Sequence, residues 1–163
     1  MEKMTVDNDT FFTGVLQVLE QGRQATIPVK GFSMLPFIRG GKDLVVLEKA
    51  DGPVKRDDIV LFHLGPADGG RYVMHRVIAV DGDEVDIMGD GVPKNREHVR
   101  RDRILAKATT ILRDGKRAVD PYSPGQLRLV RFWQWLRPVR RYILFIYRHL
   151  PWNRNWIKEN RTI

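Results

Sequence analysis

The chain has 163 residues, of which 42% are hydrophobic and 29% charged, a composition that can form one ordinary globular domain with its own core. It contains no cysteine, which excludes disulfides, thiol nucleophiles and cysteine zinc sites. Residues 128–163 carry nine Lys or Arg and one acidic residue, so they account for the whole net charge of +8. The neutral body and the basic tail therefore differ in character.

The start of the chain lacks the pattern of a secretory signal. It opens with MEKMTVDNDT rather than with a basic segment followed by an apolar run. No stretch reaches the roughly 18 apolar residues that a membrane-spanning helix requires. We therefore expect no signal peptide, no transmembrane helix and a cytoplasmic location, with peripheral membrane contact through the tail.

Three regions follow one another along the chain. Apolar residues at helical spacing predict a helix over residues 9–22, within an N-terminal segment of 1–24 that packs on the body. Residues 25–120 consist of short β-rich runs separated by glycine-containing turns, which predicts a mainly β domain of antiparallel strands. The proline-rich DPYSPGQ at 120–126 marks a boundary, and 121–163 reads as a tail of two basic amphipathic helices.

The segment GFSMLP at 31–36 places Ser33 in a turn that follows a strand-like run. A serine hydroxyl is a weak nucleophile unless a neighbouring base accepts its proton. His75, in the strand-like run RYVMHRVIAV, is the histidine best placed for this task, although Lys30 and Lys94 remain alternatives. Asp90, in the turn MGDG, is the best-placed carboxylate to orient the imidazole, unless it serves only the backbone of its own turn.

The remaining histidines and the neighbour of His75 are given structural roles. Arg76 should point to the opposite strand face and act structurally. His63, His98 and His149 lack the spacing of metal ligands and are interpreted as surface residues. We expect no metal and no cofactor.

Four segments together resemble the peptidase superfamily that includes signal peptidase I and LexA-type repressors. GFSMLP is similar to its nucleophile box, KRDDIVLFH at 55–63 to a strand motif, MHRVIAVDGDEV at 74–85 to the base-bearing box, and IMGDG at 87–91 to the box that closes the site. The order of the four segments makes the match more specific than any one of them. The resemblance implies a coiled antiparallel β fold and a serine endopeptidase acting on a peptide or protein substrate.

This chain departs from the commonest pattern at the base. His75 stands where bacterial signal peptidases and LexA-type proteins have lysine, as in signal peptidases of the archaeal and endoplasmic-reticulum type. The resemblance therefore implies a Ser33/His75 mechanism supported by Asp90, with backbone amides, including that of Ser33, as oxyanion donors. Four further residues are predicted to form the oxyanion site and the cleft: Gly31, Phe32, Met34 and Pro36, of which Met34 and Pro36 should shape the turn and line the cleft. Because only 32 residues precede Ser33, we expect neither a DNA-binding domain nor regulation by self-cleavage.

The tail allows three interpretations. Arginines interleaved with aromatic residues favour contact with an anionic membrane through residues 128–156. The second interpretation is packing of the apolar stripe on the body, and the third, which we disfavour, is binding of nucleic acid. The residues predicted to face the membrane are Arg131, Trp133, Trp135, Arg140, Arg141 and Phe145.

Two other functions remain open at this stage. One is a catalytically silent β module that binds a peptide or protein partner in peptide maturation or export. The other is a regulator whose function lies in the tail. Labelling of Ser33 by a serine-reactive probe discriminates the silent module from a peptidase. Deletion of residues 121–163 tests the regulator, because loss of function with a folded body would place the function in the tail.

Overall fold

A computed structural model describes residues 8–65, 70–92 and 94–150. Within them, the prediction of a mainly β fold with an N-terminal helix and helical C-terminal segments is confirmed. The helices and strands are α1 (Asn8–Glu20), β1 (Ala25–Pro28), β2 (Leu44–Lys49), β3 (Ile59–His63), β4 (Tyr72–Asp81), β5 (Glu84–Met88), β6 (Glu97–Arg100), β7 (Ile104–Arg113), β8 (Arg117–Val119), α2 (Pro124–Trp135) and α3 (Arg140–His149).

The described strands form one antiparallel sheet in the order β1-β2-β7-β3-β4-β5-β6, and β8 pairs with β7. The register shifts between Val46 and Leu47, between Leu61 and Phe62, and between Val77 and Ala79. Such irregularities bend a strand and increase its twist, so the sheet curls instead of lying flat. The strands β4, β5 and β6 are consecutive neighbours, which brings residues distant in sequence to one part of the sheet.

Helix α1 packs one face on the sheet. Val15 and Leu19 are buried in a core cluster with residues of β1, β2, β3 and β7. Burial of a leucine side chain contributes about 1.5–3 kcal/mol. The helix ends before the predicted limit because Gly22 adopts a φ of +70°, and its N–H donates to the carbonyl of Leu19 at 2.9 Å.

The two C-terminal helices also pack on the body. Val130, Trp133 and Leu144 form a separate core cluster with Leu35 and Phe37, which follow Ser33 in the chain. One face of each helix therefore packs on the body, as the second interpretation of the tail predicted. The opposite faces expose a row of large apolar side chains: Leu129, Phe132, Trp135, Val139, Tyr142, Ile143, Phe145 and Ile146.

This packing corrects two members of the predicted membrane-facing set. Trp133 is 8% exposed and Arg140 is 2% exposed, because both side chains are directed into the body. The other four members are exposed, and residues 151–156 lie outside the described residues. Among the described helices, none combines the length and the apolar character needed to cross a membrane.

Candidate active site

Residues 31–36 lie in the connection between β1 and β2 and are here called the nucleophile turn, after the role predicted for Ser33. Gly31 has a φ of +77°, a conformation that glycine adopts without strain. The Leu35 N–H donates to the carbonyl of Phe32 at 3.2 Å, and the Ile38 N–H donates to that of Met34 at 2.9 Å. Because Leu35 and Ile38 are fully buried, these contacts anchor the turn and leave Ser33 partly exposed on it.

A second backbone segment lies directly against this turn. The Gly91 N–H donates to the carbonyl of Ser33 at 2.8 Å. A Cβ atom added at Gly91 would lie 2.4 Å from the Phe32 carbonyl oxygen, and one added at Gly89 would lie 2.4 Å from that of Ser33. Residues 89–91, the Gly-Asp-Gly loop, therefore need glycine on both sides of Asp90 for the two segments to touch.

His75 faces the same point. It lies on β4, is 6% exposed, and its Nε2 atom is 3.0 Å from the Cβ position of Gly89. The same Cβ position is 2.4 Å from the Ser33 carbonyl oxygen, so this oxygen and the imidazole both lie against Gly89. His75 is thus placed beside the main chain of Ser33.

The Ser33 hydroxyl is not hydrogen-bonded to the imidazole in the described residues. Within the described residues, neither the hydroxyl nor the backbone N–H of Ser33 makes a hydrogen bond. Both groups are therefore available to a substrate. Contacts between catalytic groups are often long in the absence of substrate and tighten when it binds.

Glu97 is the carboxylate that contacts His75. Its Oε2 atom is 3.1 Å from Nδ1 of His75, and its side chain is 22% exposed. An ionised carboxylate only accepts hydrogen bonds, so this contact requires the imidazole proton on Nδ1. Nε2 then carries a lone pair on the side of the Gly-Asp-Gly loop and the nucleophile turn.

Asp90 is engaged elsewhere. Its carboxylate accepts hydrogen bonds from Nε and Nη2 of Arg76 at 2.8–3.0 Å, and both residues are buried. Burial opposes the positive charge of Arg76, but the charge and hydrogen bonds of Asp90 outweigh this and raise the pKa of the guanidinium. Arg76 also donates to the carbonyl of Asp57 at 3.0 Å. The structure therefore brings His75 together with Glu97, whereas it pairs the predicted orienting group Asp90 with Arg76.

The sequence matches the model of a known protein family. The family model described as signal peptidase, peptidase S26, matches residues 11–131. The chain belongs to this family. The matched range extends from α1 into α2 and includes the nucleophile turn, His75, the Gly-Asp-Gly loop and Glu97. A search of curated proteins found no match.

The other positions proposed from the signal peptidase resemblance differ in their surroundings. Gly31 and Phe32 are partly exposed and Pro36 is exposed, so all three are accessible near Ser33. Met34 is 2% exposed and packs in the core below α1, which corrects its predicted place in the cleft.

The alternative bases differ from His75 in their setting. Lys30 and Lys94 are both exposed to solvent, whereas His75 is enclosed beside the nucleophile turn. The hydrogen bond to a carboxylate that orients an imidazole is also present for His75. Of the three predicted bases, His75 is therefore the one that the structure encloses beside Ser33 and pairs with a carboxylate.

Helix α3 reaches the same region, which the sequence did not indicate. Arg140 Nη2 donates to the carbonyl of Val92, next to the Gly-Asp-Gly loop, and lies 3.6 Å from the Met88 sulfur. Burial lowers the pKa of Arg140, and the positive charge of Arg137 lowers it further. Arg148 places its guanidinium 6.0 Å from the ring centre of Phe32.

Proposed function

We propose that the protein is a serine endopeptidase in which Ser33 is the nucleophile, His75 the general base and Glu97 the residue that positions His75. The proposal is based on one observation: His75 Nε2 and the carbonyl oxygen of Ser33 both lie within 3.0 Å of the Cβ position of Gly89. Membership of the signal peptidase family supports peptide bonds as the substrate class.

The proposed reaction follows from the tautomer that Glu97 selects. Ser33 Oγ attacks the peptide carbonyl carbon while its proton passes to Nε2 of His75. The Ser33 N–H donates to the oxyanion that develops. The C–N bond then breaks, and His75 returns the proton to the departing amine. Water hydrolyses the acyl-enzyme by the same route, which releases the new carboxyl terminus and restores the Ser33 hydroxyl.

Labelling by a serine-reactive fluorophosphonate probe tests this assignment. We expect intact-mass and peptide mass spectrometry to show one adduct, at Ser33, in the wild-type protein. Ser33→Ala and His75→Ala should both lose it. Ser123→Ala removes the only other serine of the chain and His98→Ala an exposed histidine, so both matched controls should keep it.

Two outcomes contradict the proposal. Absence of an adduct in the wild type, together with binding of a peptide, would identify the silent binding module instead. An adduct that persists in His75→Ala but is lost in Lys30→Met or Lys94→Met would assign the base to a lysine.

We further propose that α2 and α3 dock the protein on an anionic membrane surface. Trp135 is 74% exposed, and Phe132, Phe145 and Ile146 are each more than half exposed. Exposed apolar patches of this kind mark interaction sites. Each arginine near an anionic leaflet adds about 1 kcal/mol of attraction.

Vesicle flotation tests the docking. Wild-type protein should float with vesicles of phosphatidylcholine and phosphatidylglycerol. A Phe132→Ser/Phe145→Ser variant should bind them more weakly but keep its probe labelling at Ser33, because neither side chain contacts the site. Equal flotation of the variant and the wild type would exclude this face as the docking surface.

A further inference from the structure

Three arginines surround a surface concavity at the junction of the sheet domain and α2. Arg56 comes from the connection between β2 and β3, Arg131 from α2, and Arg137 from the residues that follow α2. Gln134 and Trp135 complete the lining. The concavity, here called the arginine pocket, measures about 280 Å³, which is room for several water molecules at about 30 Å³ each.

The positive charge of the arginine pocket is not neutralised from within. In the described part of the chain, no carboxylate lies within ion-pair distance of its three guanidinium groups. Arg56 donates to Gln134 Oε1 at 3.2 Å, and Gln134 donates to Asp57 at 3.3 Å. Gln134 thus separates the guanidinium of Arg56 from the carboxylate of Asp57.

We propose that the arginine pocket binds the phosphate group of an anionic phospholipid. This inference rests on the membrane docking proposed above, and it is independent of the peptidase chemistry. Guanidinium groups form paired, charge-assisted hydrogen bonds with phosphate oxygens. Arg131 and Arg56 approach from two different elements, so a phosphate between them would be held from both sides.

The rim of the pocket favours a lipid over a soluble anion. Trp135 lines the pocket and is also the most exposed large hydrophobic residue that the structure describes. Its ring stacks on that of Phe132, with the ring centres 6.0 Å apart. Leu129, which is also exposed, lies one turn before Phe132 on the same helix. Indole rings prefer the headgroup level of a bilayer. A phosphate in the pocket would thus lie at the depth where the neighbouring apolar side chains enter the membrane.

A pair of double variants separates a phosphate site from diffuse charge. Arg56→Gln/Arg131→Gln removes two arginines of the pocket, and Arg128→Gln/Arg141→Gln removes two exposed arginines of the tail outside it. Both variants lose the same formal charge. The full chain is titrated with vesicles of phosphatidylcholine alone, with vesicles that also contain phosphatidylglycerol, and with polyglutamate.

We expect the wild type to prefer the anionic vesicles. Removal of two surface arginines should weaken that binding by roughly 30-fold if each contributes about 1 kcal/mol, which is the result expected for the control pair. The pocket pair should bind about tenfold more weakly still, because charge-assisted hydrogen bonds are lost as well. Thermal unfolding of both variants at the wild-type midpoint would show that each is folded.

Three results would overturn the inference. If the wild type shows no preference for anionic vesicles, the docking proposal fails with it. If the two double variants lose equal affinity, the membrane is attracted by diffuse charge and the pocket is not a phosphate site. If the pocket pair loses affinity for polyglutamate but not for vesicles, the pocket binds acidic protein segments.

Discussion

Replacement of Glu97 by glutamine should slow acylation of Ser33 without unfolding the protein. A glutamine amide can donate to Nδ1 of His75, which would place the imidazole proton on Nε2, where it blocks transfer from Ser33. The amide retains the size of the carboxylate, and the side chain is only partly buried. The effect should therefore appear in the rate rather than in the stability.

The size of this effect follows from the contact itself. The 3.1 Å distance between Nδ1 and Oε2 is that of a hydrogen bond to a charged group, which contributes about 1.5–3 kcal/mol. At about 1.36 kcal/mol per factor of ten, this predicts a roughly 10- to 150-fold slower reaction. Because Glu97 is 22% exposed and partly screened by solvent, the lower half of that range is expected, well below the loss of about 10⁴ known for a buried aspartate in a Ser-His-Asp triad.

The assay is the rate of probe addition to Ser33, followed by intact-protein mass spectrometry, with thermal unfolding measured on the same samples. Asp86→Asn is the matched control, because Asp86 contacts a different histidine, the exposed His98, at 2.5 Å. It should label at the wild-type rate. Wild-type labelling of Glu97→Gln, with loss of labelling in His75→Ala, would refute the positioning role of Glu97.

The remaining predictions concern the support of the site. Asp90→Asn should lower the free energy of unfolding by about 3–5 kcal/mol in a denaturant titration, because Arg76 is left as a buried charge without a carboxylate partner; an unchanged midpoint would contradict this. Gly91→Ala should destabilise the protein and reduce probe labelling, because its Cβ would clash with the Phe32 carbonyl, whereas Gly125→Ala, with no neighbour within 4 Å, should be neutral or stabilising. Burial opposes ionisation of Asp43, but hydrogen bonds, led by those from Arg39, outweigh it and lower the pKa of the carboxyl. The ionised carboxylate therefore stabilises the fold above the unfolded-state pKa, and this contribution is lost as the pH falls through the folded-state pKa. Asp43→Asn should consequently lose less stability on acidification than the wild type, as measured by thermal unfolding at a series of pH values.

The fold could be predicted, and Ser33 and His75 could be singled out as candidates, because their signals are local. The β-rich runs and glycine turns predicted the sheet domain. The sheet curls where the pairing register between two strands shifts by one residue. Ser33 and His75 each lie within a short recognisable segment, and alternation along β4 puts His75 and Arg76 on opposite faces of the strand. Such patterns need no knowledge of which strands become neighbours.

Glu97 was missed because its contact with His75 depends on strand register. It contacts His75 across 22 positions of sequence, and it does so because β6 pairs with β5 in a register that sets Glu97 opposite Ile87. The surrounding KNREHV has no alternation of polar and apolar residues that would single out one carboxylate. Asp90 was misassigned for a related reason, since a sequence does not show that the neighbouring Arg76 competes for its carboxylate.

The tail and the site are physically connected, and this changes how either can be tested. Trp133 Nε1 donates to the carbonyl of Asp90 at 2.8 Å, and Arg140 donates to that of Val92. Both helices thus fix the Gly-Asp-Gly loop, whose Gly91 N–H in turn holds the carbonyl of Ser33. Deletion of residues 121–163 would remove these contacts together with the exposed apolar face. A loss of peptidase activity after such a deletion would therefore say nothing about membrane binding, and only substitutions confined to the exposed face can separate the two roles of the helices.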